Sequence, residues 1–431
     1  MNLLAPIERI GRDLRTGGYR RFAWNDADME LREWFAGEAA ARGMAYEEDG
    51  NGNQVAWWGL DRSAPRPAGV SAPRPAGRDA PRPAGVTAPR PAGVSAPRPA
   101  GRDALLLGSH LDSVPDGGAY DGPLGVVSAF AAIDALREDG FAPSRPIAVA
   151  CFADEEGARF GVACAGSRLA SGTLAPERAL SLTDRDGRTL AEVMAARGRD
   201  PQAVGRAEWL GRIGTFVELH VEQGRSLVHS GDAVGVATSI WPHGRWRLDF
   251  TGRADHAGTT PMEDRRDPMP AYAATVVAAT SRAASAGARA TFGRIAVEPG
   301  GANAIPSRVQ GWLDARAGDD LALARLLDAV LDDARHAAAA AGVRLEVAVE
   351  SSSPAVGFDT ALRERLAGLL EAPLIPTGAG HDAGVLSASV PTAMLFVRNP
   401  TGVSHSPEEH ADDADCASGV DALAAVVREL A

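Results

Sequence analysis

The hydrophobic patterning of this chain predicts an α/β fold: a domain with a mixed, mostly parallel sheet flanked by helices, plus an inserted ferredoxin-like α+β domain. Three observations carry that expectation. Between residues 104 and 221, apolar strand-like runs alternate with a helix-like run, as in sheets joined by crossover helices. From residue 232 the pattern changes and, after a first ribbon, follows a β-α-β-β-α-β order, the split βαβ arrangement. After residue 350 helix and strand return, so the second pattern interrupts the first. The chain divides into 1–231, 232–349 and 350–431.

The elements follow in order. GNQVAWWGL alternates like a strand, and ALLLGSHLDSV is an apolar strand ending in polar residues. Without what separates them, the two would form a hairpin. Between them APRPAG occurs five times, starting at Ala64, Ala72, Ala80, Ala88 and Ala96, and this repeat fills 64–103. Proline at that density bars helix and interior strand. The segment is expected to be an extended, polyproline-like surface loop, with a docking motif for a proline-reading domain as the alternative. PLGVVSAFAAIDALREDG has apolar residues at helical spacing and stops at Gly140. RPIAVACFADEEG and GTFVELHVEQG are the second and third apolar strands. AVGVATSI and RWRLDFTGRA open the next region, followed by a helix (PAYAATVVAATSRAASA), strands GRIAVEPG and RVQGWLDARA, a long helix from 321 and strand RLEVAVES. Helix TALRERLAGLLEA, strand TAMLFVR and a terminal helix complete the chain.

Composition bounds the partners. A length of 431 residues fits two or three domains. A hydrophobic share of 45% with 23% charged residues is ordinary for a soluble globular chain. No apolar run is long enough to span a membrane. The opening MNLLAPIERIGRDLRTGGYRRF does not read as a secretion signal. Cys151, Cys164 and Cys416 form neither a disulfide framework nor a metal knuckle, so a cytoplasmic location is expected. A net charge of -12 argues against nucleic acid or anionic membrane as the main partner.

Chemistry concentrates at the strand ends, where sites of α/β sheets collect. GSHLDSVPDGGAYDG holds His110, Asp112 and Asp121; FADEEG holds Glu155 and Glu156; ELHVEQG holds His220, Glu222 and Gln223; GVSHSPEEH holds His405. An HxD pair suits a metal site, one residue binding the ion while the carboxylate holds the other ring nitrogen. Of two adjacent acids at a turn, one can bind metal and the other work as a base. Each cluster alone is as well explained by a solvated turn. Four of them supply the ligand types of a borderline divalent metal, and more ligands than one tetrahedral ion needs. Two ions sharing a carboxylate is the better count.

In this order, GSHLDSVPDGGAYDGPLGV, DEEGARFG, ELHVEQG, GRADHAGTTPM, GGANAIP, GHDAGVL and SHSPEEH resemble the amidase/hydantoinase/carbamoylase branch of the dinuclear aminoacylase and carboxypeptidase superfamily. The resemblance covers nearly the whole chain outside the repeat. It implies two divalent ions (Zn, Mn or Co): one on His110, Asp121 and His220, the other on Asp121, Glu156 and His405, with Asp121 bridging. It implies Glu155 as general base, with Asp112 beside it in the catalytic set. It makes the insertion a lid and dimerisation domain of a homodimer. His256 would then donate to the oxyanion from the partner subunit. Asn303 and Arg316 would bind a substrate carboxylate, with Gln223 and the Gly380 backbone as neighbours. The implied substrate is a small ureido or carbamoyl carboxylate. Arg245 in GRWRLDF resembles the allantoate enzymes, whereas Gly384 stands where the family commonly has methionine. Allantoate amidohydrolase is therefore the expected activity, with N-carbamoyl-L-amino acid hydrolase or ureidoglycolate amidohydrolase as alternatives. A catalytically silent scaffold is the alternative of a different class. Such a relative would be expected to lack ligands or the base, and none is missing.

Overall fold

The computed structural model describes residues 2–59 and 103–431, so the expectation for the repeat at 64–103 falls outside the described residues except for Asp103. The strands in chain order are β1 (Ala45–Glu48), β2 (Gln54–Trp58), β3 (Ala104–His110), β4 (Ile147–Phe152), β5 (Ile213–Val221), β6 (Val234–Ile240), β7 (His243–Thr251), β8 (Asp255–His256), β9 (Arg289–Glu298), β10 (Ala304–Ile305), β11 (Arg308–Arg316), β12 (Arg344–Ser353), β13 (Val356–Gly357), β14 (Leu374–Thr377) and β15 (Thr392–Val397). Nine of them form one sheet in the order β1-β2-β4-β3-β5-β15-β6-β13, with β14 beside β6.

The unbroken apolar runs of β3, β4, β5 and β15 are buried along their whole lengths. A strand of that kind needs cover on both faces, which is why these four lie together and parallel at the centre. Leu105 and Leu107 pack with Phe130 and Val427 of the flanking helices Pro123–Glu138 and Asp413–Leu430. Leu106, on the opposite face, packs with Phe152, Phe216 and Met394. Each such leucine contributes about 1.5–3 kcal/mol by leaving water. No helix among the described residues is long and apolar enough to cross a membrane.

Two expectations are corrected. β2 and β3 are not a hairpin, because β4 lies between them and pairs with both. β3 is buried on both faces and takes parallel partners on both edges, so no edge remains for β2. The real hairpin is β1–β2, where Trp57 is buried opposite Ala45. Strand β6 lies beyond the division at 232 yet belongs to the large sheet, antiparallel to β15. Its Val236 and Ala237 are fully buried in the two cores of the large sheet.

The smaller sheet runs β12-β7-β11-β9, every pair antiparallel. With the helices Pro268–Ser285 and Asp320–Ala340 it realises the expected β-α-β-β-α-β order. The side chains of Asp267 and Asp319 accept from the first turns of those helices and cap them. Trp246, Leu248, Phe250, Val309 and Leu313 alternate onto the helix face and form a separate core with Val330.

Trp58 and Leu105 both pair with Ile147, from opposite edges of β4. Two strand spacings of about 4.8 Å each separate them, a gap of roughly 10 Å, which about six extended residues span with ease. Replacing 60–103 by such a Gly/Ser linker is predicted to leave the melting temperature within about 3 °C, since closure entropy changes only slowly with the length of a connection. A calorimetric drop several times larger would show that the segment helps hold the sheet.

Candidate metal centre

The parallel strands bring the polar residues together at one edge of the sheet. β3 ends in His110, β5 carries His220 next to its end, and β4 runs on into Asp154, Glu155 and Glu156. The ladder that pairs Leu107 with Val217 leads to both histidines, whose ring centroids lie 5.9 Å apart. Asp121 arrives from the loop before the helix Pro123–Glu138. Gly122 makes that approach possible: its φ is 86°, and a Cβ there would come within 2.4 Å of the His110 ring. The helix N-terminus behind it favours the negative charge of Asp121. The backbone N–H groups of Tyr120 and Asp121 both donate to Glu409 Oε1, at 3.0 and 2.9 Å.

Asp121 is shared between two groups of potential ligands. Its Oδ1 lies 3.1 Å from His220 Nε2 and 3.8 Å from His110 Nε2. Its Oδ2 lies 3.5 Å from His405 Nε2, which is 3.5 Å from Glu156 Oε2. Within each trio the ligand atoms lie within 4.8 Å of one another. The His110 and His220 Nε2 atoms are buried and have no hydrogen-bond partner. Their Nδ1 atoms face main-chain carbonyls, Asp112 O at 3.2 Å and Val221 O at 2.9 Å. A carbonyl can only accept, so Nδ1 carries the proton and the Nε2 lone pair points inward, the tautomer of a metal ligand. Orphaned inward lone pairs beside carboxylates fit divalent cations. The trios have the form of a dinuclear site.

The surrounding charge agrees. Burial pushes Glu155 well above the usual carboxylate range, and the neighbouring Asp382 and Glu156 add to the rise against His110. Burial, then the charge of Asp121, pushes Glu156 up to about 8. Burial would raise Asp121 too, but the adjoining His220, then His110 and His405, hold it well below its usual value. Bound cations reverse this competition for protons by favouring every ionised carboxylate around them.

Glu155 belongs to neither trio. Its Oε2 is 3.8 Å from His110 Nε2, and its Oε1 accepts from the Cys164 thiol at 3.0 Å. Asp112 holds the arrangement from beneath: its two oxygens accept from the backbone N–H groups of Glu155 and Glu156, both at 3.1 Å, and Oδ1 lies 3.4 Å from His110 Nδ1. One carboxylate thus positions a ligand from the first trio, a ligand from the second and the acid between them.

The remaining expected residues are more dispersed. Gln223, just past β5, is half-buried with an unpartnered Oε1. Arg316 donates to Asp314 and to the Gly378 carbonyl. Gly380 is exposed, with open space where a side chain would stand. Arg245 pairs across the strand with Asp314 at 3.5 Å. His256 and Asn303 sit together at the β8–β10 ladder, both exposed. No hydrogen bond or ion pair among the described residues joins them to the metal trios. A Cβ at Gly384 would lie 2.5 Å from Ile240 Cδ1, the mobile end of that side chain, so the structure gives no steric reason for glycine there.

Several residues of the site escape the motif reading. His381 is buried, its Nε2 is unpartnered, and its ring centroid is 4.5 Å from that of His220. Burial, then the charge on His220, holds it well below the usual histidine range, so it is neutral. Glu218 lies beneath His220 and accepts from Ser109 Oγ and the Ala383 N–H. Asp382 accepts from Ser167, and burial, then Glu218, pushes it up to about 8. The available signals were an acid inside the apolar run FVELHV and the HD pair after strand β14.

Comparison with known proteins places this geometry. Residues 106–429 match the peptidase family M20/M25/M40. The chain is 40% identical over 334 residues to an N-carbamoyl-L-amino acid amidohydrolase of Geobacillus stearothermophilus, covering 76% of this chain and 81% of that one. It is 32% identical over 340 residues to the allantoate amidohydrolase of Escherichia coli, covering 77% and 82%. A solved amidase of the hydantoinase/carbamoylase family from Burkholderia vietnamiensis superposes with a TM-score of 0.79 at 29% identity, covering 99% and 95%.

Removing Asp112 is predicted to weaken metal retention, because it orients ligands of both trios. Asp112→Ala should lose about 10–100-fold in metal affinity, read by chelator competition. Unchanged affinity would rule out this orienting role.

Proposed function

The chain belongs to the peptidase M20/M25/M40 family, in its amidase, hydantoinase/carbamoylase branch, and is a metal-dependent amidohydrolase of linear carbon–nitrogen bonds; from that premise we propose that it hydrolyses the ureido group of an N-carbamoyl-L-amino acid. The observation that carries this is the pair of trios sharing Asp121, with the spare carboxylate of Glu155 beside them.

A ureido carbonyl is a poor electrophile and water a poor nucleophile. Divalent cations on His110, Asp121 and His220 and on Asp121, Glu156 and His405 supply, when bound, a Lewis-acid field that acidifies water and polarises the carbonyl. Glu155 accepts a proton from the attacking water and delivers it to the leaving nitrogen. The carbamoyl group leaves as carbon dioxide and ammonia, and the amino acid is freed. Arg316 supplies a planar fork for the carboxylate.

His256 is prepared for an electrophilic role. Its Nδ1 accepts from the backbone N–H groups of Gly258 and Thr259, at 3.0 and 3.1 Å. The ring proton is therefore on Nε2, free to donate to a developing oxyanion, an interaction worth about 3 kcal/mol where such donors have been removed. Its exposure, shared with Asn303, supports a homodimer in which the inserted domain delivers both residues to the partner's site.

The substrate choice rests on Arg245. Its pairing with Asp314 leaves it less available as a second substrate cation, and the carbamoyl amino acid relative is the more similar of the two enzymes above. Allantoate is the second reading, favoured by the 60% exposure of the Arg245 side chain.

The protein loaded with zinc, manganese or cobalt is predicted to release ammonia from N-carbamoyl-L-amino acids with a higher kcat/KM than from allantoate or ureidoglycolate. Glu155→Gln should cost on the order of 10²–10⁴ in kcat while metal content stays the same. Silence on all three substrates would remove the proposal, and loss of metal in the variant would reassign Glu155. For the dimer, mixing inactive Glu155→Gln with inactive His256→Ala chains should restore part of the activity. No recovery despite proven subunit exchange would place His256 outside a shared site.

A further inference from the structure

We propose that Asp314 is a positioning residue that sets the carboxylate selectivity of this enzyme, by locking Arg316 so that one edge of its guanidinium stays open to substrate. This deepens the ureido-carboxylate reading above and rests on it.

Asp314 and Arg316 stand two residues apart on β11, so they share the sheet face opposite the helices; Leu313 and Ala315 between and beside them are buried in the helix-side core. Arg316 Nε donates to Asp314 Oδ1 at 2.8 Å, and Nη2 donates to Oδ2 at 3.2 Å. Nη1 donates to the Gly378 carbonyl at 2.7 Å. A guanidinium has five N–H groups in one plane. The Asp314 bonds use the side edge made by Nε and one N–H of Nη2, and the Gly378 bond uses one N–H of Nη1. One N–H on each terminal nitrogen is left, a number that matches the two oxygens of a carboxylate.

The place of the fork suits the task. Gly378 lies in the loop after β14 that leads to His381, whose ring is 4.5 Å from that of the ligand His220. Arg316 on the inserted domain is thus tethered to the loop that enters the metal centre. Asp314 also takes Arg245, its cross-strand partner, but at the longer distance of 3.5 Å. The bidentate bond therefore fixes Arg316, while Arg245 remains a rim charge. Without Asp314, Arg316 keeps a single tether, and its side-chain rotamers must be frozen at the expense of substrate binding.

The test compares an N-carbamoyl-L-amino acid with its C-terminal carboxamide, in the metal-loaded full-length wild type, Asp314→Asn and Asp314→Ala. Expected is a rise in KM for the carboxylate with kcat little changed, and a fall of about tenfold in the carboxylate-over-amide preference for Asp314→Ala. Asp314→Asn, which keeps one acceptor, should fall between, while turnover of the carboxamide stays at the wild-type level and reports an intact fold. Equal losses on both substrates would make Asp314 a structural residue, and a lower KM for the carboxylate would make it a competitor of substrate; either overturns the proposal. Wild-type protein inert towards both compounds would overturn the ureido-hydrolase assignment itself, whereas an active wild type beside variants of unchanged preference overturns only the role of Asp314.

Discussion

The architecture turns on one carboxylate. Asp121 offers one oxygen to His110 and His220 and the other to His405. Its position depends on long-range contacts: Glu409 takes its backbone N–H, Ser404 donates to its Oδ2 at 3.0 Å, and the helix Pro123–Glu138 begins behind it. A carboxylate buried in this way, without histidines around it, would carry a heavy desolvation cost. Here the histidines offset that cost and the carboxylate organises them, so each makes the other tolerable.

The second theme is excess acid. Asp112, Asp154, Glu155, Glu218 and Asp382 are all buried near the trios. Burial raises Asp154, Glu155, Glu218 and Asp382. In an ordinary core such a cluster would be destabilising, since unpaired buried charge is expensive. Around a cation site the cost reverses, because a bound cation would favour the ionised form of each of these groups. Stability and metal affinity are therefore linked through one set of side chains.

A division of labour follows from the two sheets. The large sheet holds His110 and His220 on two of its four buried parallel strands, where strand register leaves little freedom, and its strand ends and loops bring Asp121, Glu155, Glu156 and His405 beside them. The small sheet's domain, with its own core, carries Arg316, Arg245, His256 and Asn303, the residues proposed to meet the substrate. The two histidines are held by burial in register, and the small sheet meets the loop after β14 through the Arg316 bond to the Gly378 carbonyl.

Much of this was legible from residue order. Unbroken apolar runs identify buried parallel strands, because no other environment accepts them, and the acids and histidines at their ends mark where such a sheet is functional. The β-α-β-β-α-β succession likewise announces the inserted domain. Order along the chain could not decide lateral neighbours: β4 inserts between β2 and β3, and β6 crosses into the large sheet, because pairing is settled by which edges remain free after the core strands are buried. Nor could it reveal that Asp112 supports ligands of both trios, that His381 faces His220, or that Asp314 bridges Arg245 and Arg316. Local pattern and side-chain type are enough to assign the strands, their polar ends and the chemistry those side chains permit. Which of them meet, and in what tautomer and orientation, is settled in the folded chain, by contacts between residues far apart in the sequence.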